Sequence, residues 1–162
     1  MSPKKLLKLR QAGSDIEEFG QGLRFIKVIE DQGSEMVDDE KVRRVVFCSG
    51  QVYYDLDAQR TKLGCKDIAI VRIEQLAPFP FRAVTSVLNR YPNADVMWTQ
   101  EEPKNQGPWP FIEMRMRNLM TSISRKNVNI AYSGRAISAS TATGYGKHHN
   151  QELHALIKST FA

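Results

Sequence analysis

From residue 42 onward the chain alternates short, nearly continuous apolar runs with longer stretches in which apolar residues recur every three or four positions. Residues 42–49, with Val45-Val46-Phe47-Cys48 at their centre, read as a buried strand. Gly50 then turns the backbone into a helix predicted over residues 51–63, with Gly64 as its C-terminal cap. Residues 68–73, Ile68-Ala69-Ile70-Val71-Arg72-Ile73, are apolar almost throughout and β-branched, as a parallel strand covered on both faces should be. The next helix starts near residue 81, places Val84, Val87, Leu88 and Tyr91 on one face, and ends at Pro92-Asn93. A third strand is predicted at 95–101, and a longer helix from about residue 107 lines up Trp109, Ile112, Met116, Leu119, Met120 and Ile123. A fourth strand follows at 128–132. The last helix, 147–159, offers only Leu153, Leu156 and Ile157, with Phe161 beyond, and so is expected to cover an edge.

Residues 1–41 lack this rhythm. They run from a basic start through Gly20-Gln21-Gly22 to Phe25-Ile26-Lys27-Val28-Ile29 and an acidic stretch, Glu35 to Glu40. Within them, residues 25–29 read as one edge strand, apolar on both faces. Strands alternating with helices of this length imply a parallel sheet with right-handed crossovers and helices on both sides. The expected fold is therefore a three-layer α/β/α sandwich, with residues 1–162 forming a single domain. There is no internal repeat and no low-complexity tract.

Composition narrows the function more than the fold. With 162 residues, 41% of them hydrophobic, the chain can bury a core without disulfides or metal. The net charge of +5 favours solubility, but only Lys4, Lys5, Lys8 and Arg10 cluster, and no aromatic residue interleaves with them as a nucleic-acid platform requires. That segment reads as a solvated arm. Cys48 and Cys65 have no CxxC or metal-ligand spacing and read as reduced structural thiols. No apolar run approaches the ~20 residues of a membrane span, and the first residues lack a signal-peptide core, so a soluble chain is expected. His148, His149 and His154 lack the HExxH spacing and read as helix decoration. Gly144-Tyr145-Gly146-Lys147 stops short of a P-loop, and neither GxGxxG after a strand nor GxSxG occurs.

Candidate chemistry gathers where it should in an open parallel sheet, at the carboxyl ends of the strands. Those ends carry Arg72, Glu74 and Gln75; Glu101 and Glu102 with Asn105 and Gln106; and Gly134-Arg135 with the loop that follows. The segment from Thr99 to Trp109 is the most polar, packing two acids and two amides ahead of an aromatic in one strand-to-helix turn. Ser138, Ser140, Thr141, Thr143 and Gly144 precede a helix and suit either a bound anion or the shaping of their own loop. Glu101 and Glu102 are adjacent and point apart, so they form no acid/base pair by themselves. Glu74 would approach one of them if their strands were neighbours. Three carboxylates beside Arg72 and Arg135 suit an ion-pair network or subunit contact better than a catalytic site.

Several strings in one order carry a resemblance: Ser2-Pro3-Lys4-Lys5-Leu6-Leu7, Val45-Val46-Phe47-Cys48-Ser49-Gly50 with Tyr53-Tyr54-Asp55-Leu56, Arg72 to Phe81, Gln100 to Trp109, Gly134-Arg135 with Ser138-Ala139-Ser140, and Thr143-Gly144. Together they resemble the C-terminal domain of 2-oxoglutarate dehydrogenase E1 components, over the whole length. The resemblance implies a transketolase-C-terminal-like sheet of five strands, the first antiparallel. It implies a parent enzyme that decarboxylates the 2-oxo acid on thiamine diphosphate and Mg2+ and passes the acyl group to a lipoyl arm of the E2 succinyltransferase. Partners would be the upstream E1 domains, a second E1 and E2, in a mitochondrial matrix or a bacterial cytoplasm. The family's cofactor segment, Gly-Asp-Gly, is absent from this sequence, so the chain is expected to be a catalytically silent piece of a longer polypeptide that binds no cofactor. Tyr91-Pro92-Asn93-Ala94 and Lys104-Asn105-Gln106 favour 2-oxoglutarate over the alternative parent, a 2-oxoadipate dehydrogenase E1. A regulatory module binding a nucleotide or acyl-CoA is the alternative from a different class.

Overall fold

The structure, a computed structural model, describes residues 3–33 and 35–162; Ser2 of the opening string lies outside them. The strands are β1 (Val28–Ile29), β2 (Arg44–Cys48), β3 (Ile68–Ile73), β4 (Asp95–Pro103) and β5 (Ile130–Arg135). The helices are α1 (Val52–Leu63), α2 (Phe81–Arg90), α3 (Trp109–Ser122) and α4 (Gly146–Phe161). The five strands form one sheet in the order β1-β3-β2-β4-β5. β1 runs antiparallel to β3, with Val28 opposite Ile73, and every other pair is parallel. The architecture is the three-layer sandwich expected, with its first strand antiparallel.

Alternation along each strand sorts the core into two layers. Val45, Phe47, Ala69, Val71, Val96 and Trp98 face α2 and α3, meeting Val84, Val87 and Leu88 of the former and Trp109, Ile112, Met116 and Met120 of the latter. Val46, Cys48, Ile68, Ile70 and Met97 face α1 and α4, meeting Val52, Leu56, Leu156 and Ile157. α1 stops at Gly64, which adopts left-handed backbone (φ 60°) while its N–H bonds back into the last turn. No helix among the described residues is long and apolar enough to cross a membrane.

Three boundaries differ from the sequence reading. The edge strand expected at 25–29 is only Val28–Ile29, and Phe25 and Ile26 are exposed. The reason is register: Val28 already stands opposite Ile73, the last residue of β3, so the preceding residues run past its end and have no strand to pair with. β4 continues to Pro103 through an irregularity between Thr99 and Pro103. β5 is shifted from 128–132 to Ile130–Arg135, so Gly134 and Arg135 belong to the strand itself. α4 lies over edge strand β5 and over β4, beside α1. It is held there by hydroxyls as well as by Leu156 and Ile157: Ser133 Oγ donates to Leu156 O at 2.8 Å, and Thr160 Oγ1 sits 3.2 Å from Thr99 Oγ1.

Candidate functional site

The turn after β4 is organised by Gln100, a buried amide that strand alternation places on the same face as Trp98. Its Oε1 accepts from Trp98 Nε1 at 2.9 Å and from the backbone N–H of Trp109 at 2.9 Å. Its Nε2 donates to the carbonyls of Gln106 at 2.7 Å, Pro103 at 3.1 Å and Glu102 at 3.2 Å. One side chain thus joins the end of β4 to the start of α3. Trp109 closes the turn from the core side, its ring 4.9 Å from that of Tyr132. Two glycines make this geometry accessible. Gly107 takes φ 64°, where a Cβ would stand 2.9 Å from Glu102 Cβ. A Cβ on Gly134 would collide with the Tyr132 hydroxyl and lie 3.0 Å from Gln100 O.

The two carboxylates of the turn diverge, as alternation requires. Glu101 accepts from Gln51 Nε2 at 2.8 Å, at the start of α1, while Glu102 is exposed. Arg135, mostly buried, uses all its nitrogens. Nε donates to the Glu101 carbonyl at 2.7 Å, and Nη1 donates to Glu152 Oε2 at 2.5 Å and to Thr143 Oγ1 at 3.1 Å. Nη2 lies 3.0 Å from His149 Nδ1. A guanidinium has no lone pair to offer, so Nδ1 must be the acceptor and the ring carries its proton on Nε2. The Thr143 hydroxyl also donates to Glu152 Oε2 at 2.9 Å. That bond, seconded by Arg135, holds the Glu152 carboxyl below its ordinary value.

The serine loop after β5 is occupied in the same way. Asn105 Nδ2 and Gln106 Nε2 donate to Ser138 O at 2.9 and 3.0 Å, and Gln106 also reaches Ser140 O at 3.1 Å. The Ser138 N–H returns to Asn105 Oδ1 at 3.1 Å, and the Ser140 N–H donates to Ser138 Oγ at 3.0 Å. Ser140 Oγ donates to Ala142 O at 2.8 Å. Glu101, Arg135, Glu152 and the serine loop line a cleft of about 510 Å³ between the carboxyl ends of β4 and β5 and the start of α4, and Asn105 and Gln106 hold that loop without lining it.

Arg72, Glu74 and Gln75 stand apart from this cluster. Strand order puts β2 between β3 and β4, so Glu74 does not approach Glu101 or Glu102, and the single network of three carboxylates does not form. Instead Arg72 stacks on Tyr53, 4.4 Å from the ring centroid, donates to the Tyr54 hydroxyl at 3.2 Å, and pairs with Glu74 at 3.8 Å. Gln75 Nε2 donates to Pro78 O at 2.9 Å. Of the expected residues, the structure therefore unites Glu101, Glu102, Asn105, Gln106, Arg135, Ser138, Ser140 and Thr143, and separates Arg72, Glu74 and Gln75. Sequence reasoning missed Gln51, His149 and Glu152 as members, because only packing brings them near. The part played by Gln100 did have a signal, a polar residue in buried strand register two places after Trp98.

Nothing in this set fits the diphosphate and metal of the family's cofactor. Among the described residues no three His, Cys, Asp or Glu side chains converge as ligands, and each nitrogen of Arg135, the buried cation of the cleft, already has a protein partner. No step of cofactor chemistry follows from these residues.

Residues 13–161 match the family described as 2-oxoglutarate dehydrogenase C-terminal. Curated relatives include proteins named 2-oxoglutarate dehydrogenase E1 component from Brucella anthropi, Brucella ovis and Brucella canis, each 39% identical over 165 residues. Each match covers 98% of this chain and 16% of the relative, so the chain spans about a sixth of their length.

Proposed function

The chain belongs to the 2-oxoglutarate dehydrogenase C-terminal family, and on that premise we propose that it acts as the non-catalytic C-terminal domain of an E1 component. In that role it completes the E1 homodimer, buttresses the domains that hold thiamine diphosphate and Mg2+, and walls part of the route by which 2-oxoglutarate or the lipoyl group of E2 reaches them. The parent carries out oxidative decarboxylation of 2-oxoglutarate and acyl transfer to E2. Arg72, Glu74, Gln75, Glu101, Glu102, Asn105, Gln106 and Arg135 are the residues proposed to form its interface or channel surface.

The observation that carries this reading is mutual pairing around Arg135. General acid or base catalysis needs a group within reach of substrate and free to exchange a proton. In the cleft, Arg135, Glu152 and Thr143 are bonded to one another and to backbone, and Asn105 and Gln106 fix the serine loop that forms one wall. Such a set fixes a surface. Glu102, exposed at the rim, is the member left to meet another domain. The same pairing weighs against the nucleotide or acyl-CoA reading, since an incoming phosphate would have to compete with Glu152 for Arg135. The names of the relatives support 2-oxoglutarate rather than 2-oxoadipate as the parental substrate.

The pure chain, given 2-oxoglutarate, thiamine diphosphate and Mg2+, is expected to release no carbon dioxide above the protein-free rate. Turnover by the chain alone overturns the proposal. Grafted in place of the matching 165 residues of the Brucella anthropi E1, it is expected to support turnover, and Glu102→Gln is expected to lower turnover or weaken the dimer. Calorimetric titration with acetyl-CoA and AMP is expected to be silent at millimolar ligand; heat at micromolar ligand favours the regulatory reading instead.

A further inference from the structure

We propose that the lead-in, residues 3–26, is a docking strap that seats this domain on the rest of an E1 polypeptide, an inference that rests on the function proposed above. Leu7, Ile16, Phe19, Leu23, Phe25 and Ile26 are between 57% and 82% exposed. They are six of the eleven large hydrophobic side chains exposed among the described residues. Apolar residues scattered singly over a surface are ordinary, but six within twenty positions mark a contact face.

The strap adds no fully buried residue to the fold it precedes, though Leu6, Leu9 and Ala12 are half-buried. Its 3₁₀ turns, Leu6–Lys8, Arg10–Ala12 and Ile16–Phe19, bury no residue. Among the described residues, the backbone hydrogen bonds of the turns close within the strap itself, from Leu6 N to Pro3 O through Leu23 N to Gly20 O. Among the described residues its ion pair with the sandwich is Lys5 to Asp55 of α1, at 2.7 Å. A segment that only spans distance does so best with polar residues. This one exposes Leu7, Ile16 and Phe19 on its turns and Leu23, Phe25 and Ile26 after them.

The occupant follows from length and charge. The relatives match over 98% of this chain yet are about six times longer, so most of an E1 polypeptide lies outside the structure. The family match includes Ile16 to Ile26, which makes the strap part of what the relatives share. A second copy of this chain is the competing occupant. Lys4, Lys5, Lys8, Arg10 and Arg24 against Asp15, Glu17 and Glu18 leave the strap net positive, so pairing it with itself would bring like charge together. The receiving surface is therefore an apolar face bordered by carboxylates on the remaining E1 chain.

Hydrogen exchange tests the strap directly, comparing the isolated 162-residue chain with the chimeric Brucella anthropi E1 that carries it. Amides of residues 6–26 are expected to exchange at least about tenfold more slowly in the chimera, as a docked segment does relative to a frayed one. Substituting Ile16→Ser, Phe19→Ser, Phe25→Ser and Ile26→Ser together is expected to abolish that protection in the chimera and leave the melting midpoint of the isolated chain unchanged. Equal exchange in both settings, in a chimera that is dimeric and active, overturns the strap and leaves the domain's function standing. Equal exchange in an inactive, monomeric chimera overturns both. Concentration-dependent protection of the strap in the isolated chain, with dimers in sedimentation that the four substitutions dissolve, overturns it in favour of a second copy.

Discussion

Gln100 and Trp109 are where single side chains decide most. Replacing Gln100 with Leu keeps the volume but strands the Trp98 indole N–H, the Trp109 backbone N–H and the Gln106 carbonyl, while Pro103 O keeps the Gln106 N–H. At about 1–3 kcal/mol for each buried group left unpaired, and with water rescuing those nearest the rim, Gln100→Leu should lower stability by roughly 2–4 kcal/mol. Trp109→Ala should cost about 3–5 kcal/mol through the cavity it leaves. Urea midpoints measure both, and a Gln100→Leu variant as stable as the parent would remove the amide from its organising role. Glu152 carries the pH dependence. Its carboxyl is held below the ordinary 4.5 by the Thr143 hydroxyl and then by Arg135. The folded state therefore gives up this proton at a pH where the unfolded chain still keeps it. Its stabilisation is complete above 4.5 and is lost as pH falls through the lower folded value. Urea midpoints of the parent and of Glu152→Gln, followed from about pH 6 to about pH 3, should differ at the upper end and converge at the lower. A constant gap would mean that the carboxylate is not what Arg135 and Thr143 are holding.

At the scale of elements, helix ends matter as much as helix faces. In the last turn of α2 the Leu88 carbonyl has no helical donor, since the residue four places on is Pro92, and Arg125, just beyond α3, supplies one. It donates to Leu88 O at 2.7 Å, Tyr91 O at 2.8 Å and Ala94 O at 2.6 Å. One guanidinium thereby locks two helices and the entry to β4. Charged donors are worth about 1.5–3 kcal/mol each, less what water recovers, so Arg125→Ala should destabilise the domain by roughly 2–4 kcal/mol, whereas Arg117→Ala on the exposed face of α3 should stay within about 0.5 kcal/mol. Chemical denaturation of the two variants side by side tests the contrast. Element boundaries also show what periodicity can and cannot supply. The stripe Ile112, Met116, Leu119 and Met120 is buried as read, because a helix buries whichever face is apolar. The apolar run at 25–29 failed as a strand although its side chains fit one, because a strand exists only as long as its partner does, and β3 ends at Ile73.

For the whole molecule, the two core layers share the strands of one sheet and neither can melt while the other persists, so a single cooperative thermal transition is expected. Coincident near-UV and far-UV dichroism curves would show it; two separated transitions would mean that the α4 layer unfolds by itself. The sequence alone determined the alternation of strands and helices, the burial of β2 and β3 on both faces, the stop at Gly64, and the gathering of polar residues at the carboxyl ends of the strands. These are local matters, set by side-chain periodicity and by what glycine and proline permit over a few residues. Strand order, and with it which of those polar residues meet, was decided only in three dimensions. Glu74 and Glu101 read as potential neighbours until β2 came between their strands, while Glu101 found Gln51 and Arg135 found Glu152, His149 and Thr143. Partners 8 to 50 positions apart leave no spacing to read. They are chosen by how α1 and α4 settle on the sheet, which depends on the fit of Leu56, Leu156 and Ile157 against Val46 and Ile70 rather than on the polar residues themselves.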